Sequence, residues 1–569
     1  MNRNLGRTLL GTTWLACAFM LTAPVAPAHA DATTEKLIQI LVQNGVLRKD
    51  QAAALLAQAQ QEAASGMTSV KPANAPEAPP KLKPGTVRVV YIPEVVRNQI
   101  AAEVKQQVMQ QAMEEGWAEP NQTPSWIQQI KISGDIRIRG SASLYDPGNA
   151  NTFPDFNSIN SSSNGYDASG NSGLPPFLNT TQNRERMQLR ARLDIAAHVS
   201  DWVDTDFMIA TGSDRSPVST NQTLGGGSGS GNAGDFQKYS IWLDRGDITL
   251  HPSPAFKAIF GRGPDVYDVS DLMYDPEVNL DGVSLQSSIP ITDRLGWFSN
   301  GGAYTLFNTD LNYGEPNLVK SPNNNAYLFA VQTGADYHFT DHQSARLAVG
   351  YFSYANVQGF TSALCTSPTA YGSCSTDSTR APFVQFGNTL MPIRDIAITT
   401  SSSSATPQPE YYGLASKFQL LDLHGRYADN IINNDDLVFE GEYIKNLGLD
   451  QNALAQRELA NNTDPSGTGY SGGNTAYMAK ILWGVQTPAK LWDYNASLAY
   501  KYLETDSVLD ALTDSKFHMG GTNAKGFVLS GTLNVGSNTT LTTSWYSAKQ
   551  VTGAPYAVDV ILTDLMTGF

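Results

Sequence analysis

The sequence predicts an all-β protein, a transmembrane antiparallel β-barrel of about 16 strands preceded by a small α-helical periplasmic region. Three observations indicate this fold. Apolar and polar residues alternate with a period of two along many segments of residues 126–569. The connections between these segments are alternately short and long. Residues 1–30 have the features of an export signal, so we expect the mature chain to act outside the cytoplasm.

The clearest alternation lies between Asn183 and Val199. Apolar residues occupy the odd positions from Met187 onward, whereas the even positions are mostly charged or polar and include four arginines. Such a strand has one apolar face and one charged face, and it is much longer than the roughly five or six residues of an ordinary strand. A soluble sheet could show the same pattern, so the interpretation depends on its repetition along the chain.

The alternation is repeated from Trp126 to the final Phe569. Sixteen candidate strands begin near residues 127, 183, 201, 236, 255, 280, 294, 326, 344, 410, 435, 475, 491, 525, 539 and 558. Long connections alternate with tight turns, although the connection at 422–434 is longer than a tight turn should be. An even strand number with long loops at one end is typical of outer-membrane barrels, whose closure leaves no strand edge in lipid. A soluble propeller, the alternative, would show an internal repeat of about 40–50 residues, and we find none.

The N-terminal part of the chain has a different organisation. Residues 1–30 predict a signal peptide, with Arg3 and Arg7 before an apolar run and Ala28-His29-Ala30 as the cleavage site. Residues 31–65 predict a helical hairpin, 66–92 a Pro-rich linker, 93–116 an amphipathic helix and 126–569 the barrel. The helix at 93–116 either packs on its own domain or forms a short oligomerisation segment between subunits, as a coiled coil would.

Composition excludes several classes of function. The net charge of −15, or −17 without the two signal arginines, argues against a nucleic-acid partner. Outside the signal only Cys365 and Cys374 remain, and they could form a small disulfide in an oxidising compartment; free thiols or metal ligands are the alternatives. The seven histidines are scattered and no catalytic motif occurs, so we predict no catalytic residue, no metal site and no cofactor.

Arginines on two neighbouring strands are the main candidates for functional residues. If the odd positions of 183–199 face lipid, the arginines must face the lumen, because a lipid-facing arginine at the bilayer midplane costs about 2–4 kcal/mol. The alternation at 126–143 places further cations on the same side. The predicted lumen-facing cations are Arg137, Arg139, Arg186, Arg190 and Arg192. Glu440 and Glu442 alternate with Phe439 and Tyr443, which predicts that these two acids line the lumen across from the arginines.

Several motifs resemble a known family. The chain contains Gly116-Trp117-Ala118, Pro124-Ser125-Trp126-Ile127, the strand opening at Ser133–Arg139 (SGDIRIR), and the Arg-rich motifs Asn183-Arg184-Glu185-Arg186 and Arg190-Ala191-Arg192. Over residues 115–569 this pattern resembles the "putative porin" family of Gram-negative bacteria. The resemblance implies an outer-membrane location, a water-filled pore and contact with outer-membrane lipid and lipopolysaccharide. A homotrimer is implied only by analogy with general porins.

The resemblance also suggests a role for the third long connection, residues 263–279. In general porins the third extracellular loop folds inward and its acids face a basic wall, which would make Asp265, Asp268, Asp271 and Asp275 pore-lining residues that set selectivity. An ordinary solvated acidic loop, or a divalent-cation site that bridges to lipopolysaccharide, is the alternative.

Three functions remain open on this evidence. We expect a passive diffusion channel for small hydrophilic solutes or ions, with a preference for anions because of the arginine wall. A substrate-selective channel is one alternative. A structural anchor is the other, with the N-terminal helices acting as a periplasmic spacer in contact with the cell wall. A barrel enzyme is disfavoured because the sequence lacks a catalytic motif.

Overall fold

The computed structural model describes residues 129–569 apart from 164, 169–172, 227–233, 235, 313–319, 321, 365–375, 397–408, 433–434 and 468. The predicted signal peptide, helical hairpin, linker, amphipathic helix and Cys365–Cys374 disulfide therefore lie outside the described residues. None of the helices within the described part of the chain could span a bilayer.

Sixteen antiparallel strands form one closed barrel, as the alternating sequence predicts. The strands are β1 (Ile130–Tyr145), β2 (Arg184–Ser200), β3 (Val203–Thr211), β4 (Ile241–Ser253), β5 (Phe256–Pro264), β6 (Asn279–Pro290), β7 (Leu295–Phe307), β8 (Ala326–His338), β9 (Gln343–Ala355), β10 (Phe418–Ile432), β11 (Asp435–Asn446), β12 (Thr475–Gly484), β13 (Tyr494–Leu503), β14 (Ala524–Gly536), β15 (Thr539–Gln550) and β16 (Ala557–Gly568). The first and last strands pair with each other, and this pairing closes the sheet.

The C-terminal residue takes part in the closure. The backbone N–H of Phe569 donates to the carbonyl of Gly134 at 3.0 Å, and the N–H of Gly134 donates to the carbonyl of Phe569 at 3.1 Å. Each of these two residues thus satisfies its partner's backbone groups at the point where the chain ends. Closure of this kind leaves no unpaired strand edge, which the bilayer interior requires.

The tenth strand differs from its predicted position. We expected a strand from about residue 410 and a long connection at 422–434, but β10 runs through most of that connection, and only two residues separate its end from the start of β11. The physical reason is that the alternation continues, since Leu421 and Leu423 face outward while Asp422 and His424 are buried on the lumen side. Residues 409–410 and 412–414 instead form short strands within the preceding long loop.

The outer face of the barrel carries apolar side chains along each strand. Ile132, Leu347 and Val331 are among the exposed apolar residues. Aromatic residues such as Trp297 and Trp483 are also exposed on this face. An apolar band with aromatic residues suits contact with lipid and its interfaces.

The buried core lies inside the barrel, and long loops supply much of it. Four of these loops are used below: loop 1 (residues 146–183), loop 3 (265–278), loop 5 (356–417) and loop 7 (504–523). The core contains Ile159 of loop 1, Leu272 of loop 3, Leu390 of loop 5 and Leu512 of loop 7, all packed with wall residues such as Phe352. Ile159 lies on a short helix, α1 (Phe156–Ser161), whose N-terminus is capped by the Asp155 carboxylate. Residues of the long loops therefore occupy much of the long-loop half of the lumen.

Candidate functional site

Loop 3 crosses the lumen of the barrel. Its Asp268 carboxylate approaches His424 of β10 at 3.4 Å, and its Glu277 carboxylate accepts a hydrogen bond from Arg190 of β2 at 2.8 Å. Strands β2 and β10 are eight strands apart in a ring of sixteen, so they lie on opposite walls. A loop that contacts both walls must divide the space between them. Loop 3 is therefore the element that narrows the passage through the barrel.

Aromatic residues seat the loop on the wall formed by β7 and β9. The Tyr267 hydroxyl hydrogen-bonds to the hydroxyl of Tyr304 at 3.1 Å, and Tyr274 hydrogen-bonds to Tyr354 at 3.0 Å. The ring of Phe352 packs edge-to-face against Tyr267 with ring centroids 5.0 Å apart. Gly350 leaves room for that ring, because a Cβ at this glycine would lie 2.6 Å from a ring carbon of Phe352. Buried tyrosines with partnered hydroxyls fix the position of a loop more precisely than apolar packing alone.

Polar contacts extend this seat along strands β8 to β11. Asp268 accepts a hydrogen bond from the Arg346 guanidinium at 2.8 Å, and its backbone N–H donates to the side chain of Gln332 at 2.8 Å. The Ser270 N–H donates to the Glu442 carboxylate at 3.0 Å, and its hydroxyl donates to the same carboxylate. These bonds occupy most of the polar groups of residues 268–270, so this part of the loop is held to the wall.

Two lysines fasten loop 3 to loop 7. The Lys501 ammonium, on β13, lies 2.6 Å from the Asp271 carboxylate and 2.9 Å from that of Asp514. The Lys516 ammonium lies 2.9 Å from Asp275 and 3.3 Å from Asp514. Burial alone would raise the pKa of the Asp514 carboxyl, but Lys501 and Lys516 hold this pKa well below its usual range. We refer to these five residues as the lysine clamp.

The arginines of β1 and β2 form a second charged group with three carboxylates. Arg137 and Arg190 both donate to Glu277, at 3.0 and 2.8 Å. The remaining pairs are Arg190 and Arg192 with Asp135, and Arg139 with Asp564. We refer to Arg137, Arg139, Arg190, Arg192, Asp135, Glu277 and Asp564 as the arginine cluster. Four arginines and three carboxylates leave it with one net positive charge.

This arrangement differs from the predicted field between a basic wall and an acidic loop. Of the loop acids, only Glu277 meets the arginines, whereas Asp268, Asp271 and Asp275 pair with cations elsewhere. Asp275 is 1% exposed, so it lies within the packed core and not at a water-filled surface. The reason is that the loop neutralises its charges by direct pairing, because a buried carboxylate without a partner would be costly.

Glu440, Asp265 and Arg186 are the remaining predicted residues, and they make fewer ion pairs. Glu440 pairs with the Lys480 ammonium at 3.0 Å. Asp265 accepts a hydrogen bond from the backbone N–H of Tyr267 at 3.0 Å. Arg186 is exposed, has no ion-pair partner within the described part of the chain, and lines a cavity of about 410 Å³ at the long-loop end with Arg184. Arg184 and Arg186 thus leave a positive surface at this mouth.

Several important residues were not predicted from the sequence. Arg346 is a charge on the polar side of a well-alternating strand, so the period-two pattern could have identified it. Lys501 follows Leu498-Ala499-Tyr500, so the period-two pattern of β13 could have identified it too. Lys516 and Asp514 lie in a long loop, where no periodicity indicates which side chains become buried.

The buried Asp510 carboxyl adds a pH-dependent element to loop 7. Burial raises the pKa of this carboxyl to about 8, and neither of its oxygens has a hydrogen-bond partner among the described residues. Because the folded-state pKa lies above the ordinary value of about 3.9, the neutral group favours folding at low pH and this contribution is lost as the pH rises through about 8.

We expect Asp510→Asn to remove this loss of folding stability at high pH. Between pH 5 and pH 9, the thermal unfolding midpoint of the wild-type protein in detergent should fall relative to that of the variant, because the variant has no carboxyl to ionise. Asp341→Asn is a suitable control, since Asp341 is an exposed residue of the turn between β8 and β9. Parallel pH curves for wild type and Asp510→Asn would contradict the assignment.

Comparisons with known proteins are consistent with this architecture. The sequence family described as "Putative porin" matches residues 31–569. No curated protein matches the chain. Similar solved structures include OmpF of Salmonella typhi in complex with daunomycin (9% identity, covering 77% of this chain and 97% of that chain, TM-score 0.37). Another is the outer-membrane channel DcaP of Acinetobacter baumannii (10% identity, 78% and 98%, TM-score 0.36).

The family match carries the identification because it covers nearly the whole chain. It agrees with the closed barrel of sixteen strands and with the apolar outer face. The protein lies in the outer membrane, in contact with its lipid, and its family and fold point to a channel. The chain belongs to the family described as "Putative porin".

Proposed function

We propose that the protein is a passive diffusion channel for small hydrophilic solutes, with a weak preference for anions. The observation that supports this most strongly is the path of loop 3, which is bound to opposite walls of the barrel. A loop held in this way would limit the size of the solutes that pass, without moving parts or an energy source. The channel needs no cofactor.

The anion preference is expected to come mainly from the mouth of the barrel. The arginine cluster has only one net positive charge, so it contributes little. Arg184 and Arg186 face the cavity at the long-loop end without carboxylate partners among the described residues. Fixed charges act on ions within a Debye length, about 8 Å at physiological ionic strength, so these two residues should affect ions that enter there.

We expect Arg186→Glu to shift selectivity toward cations. The substitution changes the charge at the mouth by two units, and the reversal potential in a salt gradient across a planar bilayer should move toward the cation equilibrium potential. The matched control is Arg294→Glu, which makes the same charge change at an exposed turn between β6 and β7. If both variants keep the wild-type reversal potential, the mouth arginines do not set selectivity.

A second candidate, a substrate-selective channel, is favoured by the extent of the internal core. Residues of loops 1, 3, 5 and 7 occupy much of the long-loop half of the lumen, which reduces the space for a wide general pore. Solute-dependent block of the single-channel current would distinguish this function, because a general diffusion pore should not be blocked by one solute at low concentration.

The remaining proposals concern assembly. A homotrimer would place the apolar outer wall of several strands at subunit contacts, and mass measurement in detergent would test it. The amphipathic helix at 93–116 and the proposed cell-wall contact lie outside the described residues. Deletion of residues 31–115 should leave conductance intact if the pore is the main function. If the protein is instead a structural anchor, the intact protein should open no channel either.

A further inference from the structure

Two histidines and one aspartate from three neighbouring strands meet at the turn end of the barrel. The His198 Nδ1 atom lies 2.7 Å from the Asp204 carboxylate, and the His251 Nε2 atom lies 2.8 Å from the other oxygen of the same carboxylate. One ligand atom from each residue lies within 4.8 Å of the others. No sequence motif indicates this group, because His251 lies 53 positions after His198.

The barrel register explains why they meet. His198 pairs directly with Asp204 across β2 and β3, and Asp204 pairs with Thr249 across β3 and β4, two residues before His251. His198 faces the lumen, because Arg190 and Arg192 lie on the same face of β2. The alternation along β3 and β4 places Asp204 and His251 on that face as well. Residues that pair directly across neighbouring strands project their side chains from the same face of the sheet. The group therefore lies on the lumen wall at the end where the tight turns are.

The environment of His251 is suited to a bound cation. Its Nε2 atom is buried and has no hydrogen-bond partner among the described residues, although a carboxylate oxygen lies 2.8 Å away. A cation bound by both atoms would give the unpartnered nitrogen and the carboxylate oxygen a common partner. Two imidazole nitrogens and one carboxylate are ligands that suit divalent transition metals, zinc in particular.

We propose that His198, Asp204 and His251 bind a divalent transition-metal ion of the zinc class at the turn-end mouth of the barrel. Three protein ligands leave a coordination position for water or for a donor atom of a passing solute. A cavity of about 400 Å³, lined in part by His198 and Asp204, gives access to the group. Bound metal adds positive charge at the inner end of the passage.

The binding test uses the full chain in detergent, purified without a histidine tag and treated with a chelator. Calorimetric titration with Zn²⁺ should give binding that His198→Ala and His251→Ala each weaken by at least about tenfold, since each removes one of three ligands. His342→Ala is the matched control, because His342 is an exposed histidine of another turn at the same end of the barrel. Binding in the control should equal that of wild type.

Spectroscopy tests the ligand set separately. With Cu²⁺ as the probe, paramagnetic resonance should show two nitrogen ligands in the wild-type protein and one in His251→Ala. Equal Zn²⁺ affinity in wild type and both histidine variants, or a Cu²⁺ spectrum unchanged by His251→Ala, would overturn the proposal. Heat-modifiable migration of each variant on gels confirms that its barrel is folded, so a folding defect cannot imitate loss of the site.

The effect on transport rests on the proposed function. Zn²⁺ added to the turn side of a bilayer should shift the reversal potential toward anions in wild type, and the shift should be absent in the double variant His198→Ala/His251→Ala. The two proposals fail in different ways. A protein that binds Zn²⁺ but carries no current in any variant contradicts the channel, whereas a channel with no difference in Zn²⁺ binding between wild type and variants contradicts the metal site.

Discussion

Replacing Lys501 with methionine is expected to raise the single-channel conductance and the current noise, because loop 3 would lose its ion pair to β13 and part of its attachment to loop 7. The Lys501 ammonium is 3% exposed and bridges Asp271 and Asp514. Removing one partner of a buried ion pair costs about 3–5 kcal/mol, since the other charges are left uncompensated. If the cost falls on loop docking, the undocked fraction rises by at least about a hundredfold.

Two further variants separate the loop from general effects of charge. Lys480→Met removes a lumen-facing ammonium that is 34% exposed and pairs with Glu440, without touching loop 3, so its conductance should remain close to that of wild type. Lys501→Met combined with Asp271→Leu replaces a charged pair by apolar groups, which is often neutral or stabilising, and it should restore much of the wild-type behaviour. Wild-type conductance in a folded Lys501→Met protein would show that the lysine clamp does not hold the loop.

The outer half of this structure could be predicted from the sequence, because lipid imposes a simple rule. Residues such as Ile132 and Leu347 must be apolar wherever they face the bilayer, and strict alternation then reveals each strand. The same rule placed Arg190 and Arg192 in the lumen. It failed only at β10, where the polar residues Asp422 and His424 were taken for a loop although Leu421 and Leu423 continued the pattern.

The interior could not be predicted in the same way, because no periodic rule governs a loop that folds into a lumen. The sequence indicated that residues 263–279 are acidic, but the partners of those acids come from five different strands, from loop 7 and from the loop between β3 and β4. No pattern in the sequence around Asp514 and Lys516 predicts that their side chains are buried. Likewise, His198 and His251 are 53 positions apart, and only the pairing of β2, β3 and β4 brings them together.

Glu277→Gln is expected to increase anion selectivity and lower stability at the same time. Glu277 joins Arg137, Arg190 and the backbone N–H of Thr220, so its carboxylate connects loop 3 to the arginine cluster and to the loop between β3 and β4. Glutamine is nearly the same size but has no charge, and it raises the net charge of the cluster from one to two. The reversal potential should therefore move toward anions, opposite to the shift expected for Arg186→Glu.

The stability change should depend on pH. Burial alone would raise the pKa of the Glu277 carboxyl, but Arg137 and Arg190 hold this pKa well below its usual range. A lowered folded-state pKa stabilises the protein above the unfolded value of about 4.3, and this contribution is lost as the pH falls below it. At pH 7 we expect Glu277→Gln to cost about 3 kcal/mol, the lower end of the range for breaking a buried pair, because the amide oxygen can still accept one hydrogen bond.

The control for both stability and selectivity is Asp281→Asn. Asp281 is an exposed residue of β6 that pairs with Arg262 of β5. Surface ion pairs contribute about 0–1 kcal/mol, so this variant should unfold close to wild type and keep its reversal potential. A Glu277→Gln protein that lost stability without any change in selectivity would mean that ions do not pass near the arginine cluster. In that case the passage must follow the opposite side of loop 3, where Glu440 and Lys480 line the wall, and charge reversal at those two residues would then be the change that alters selectivity.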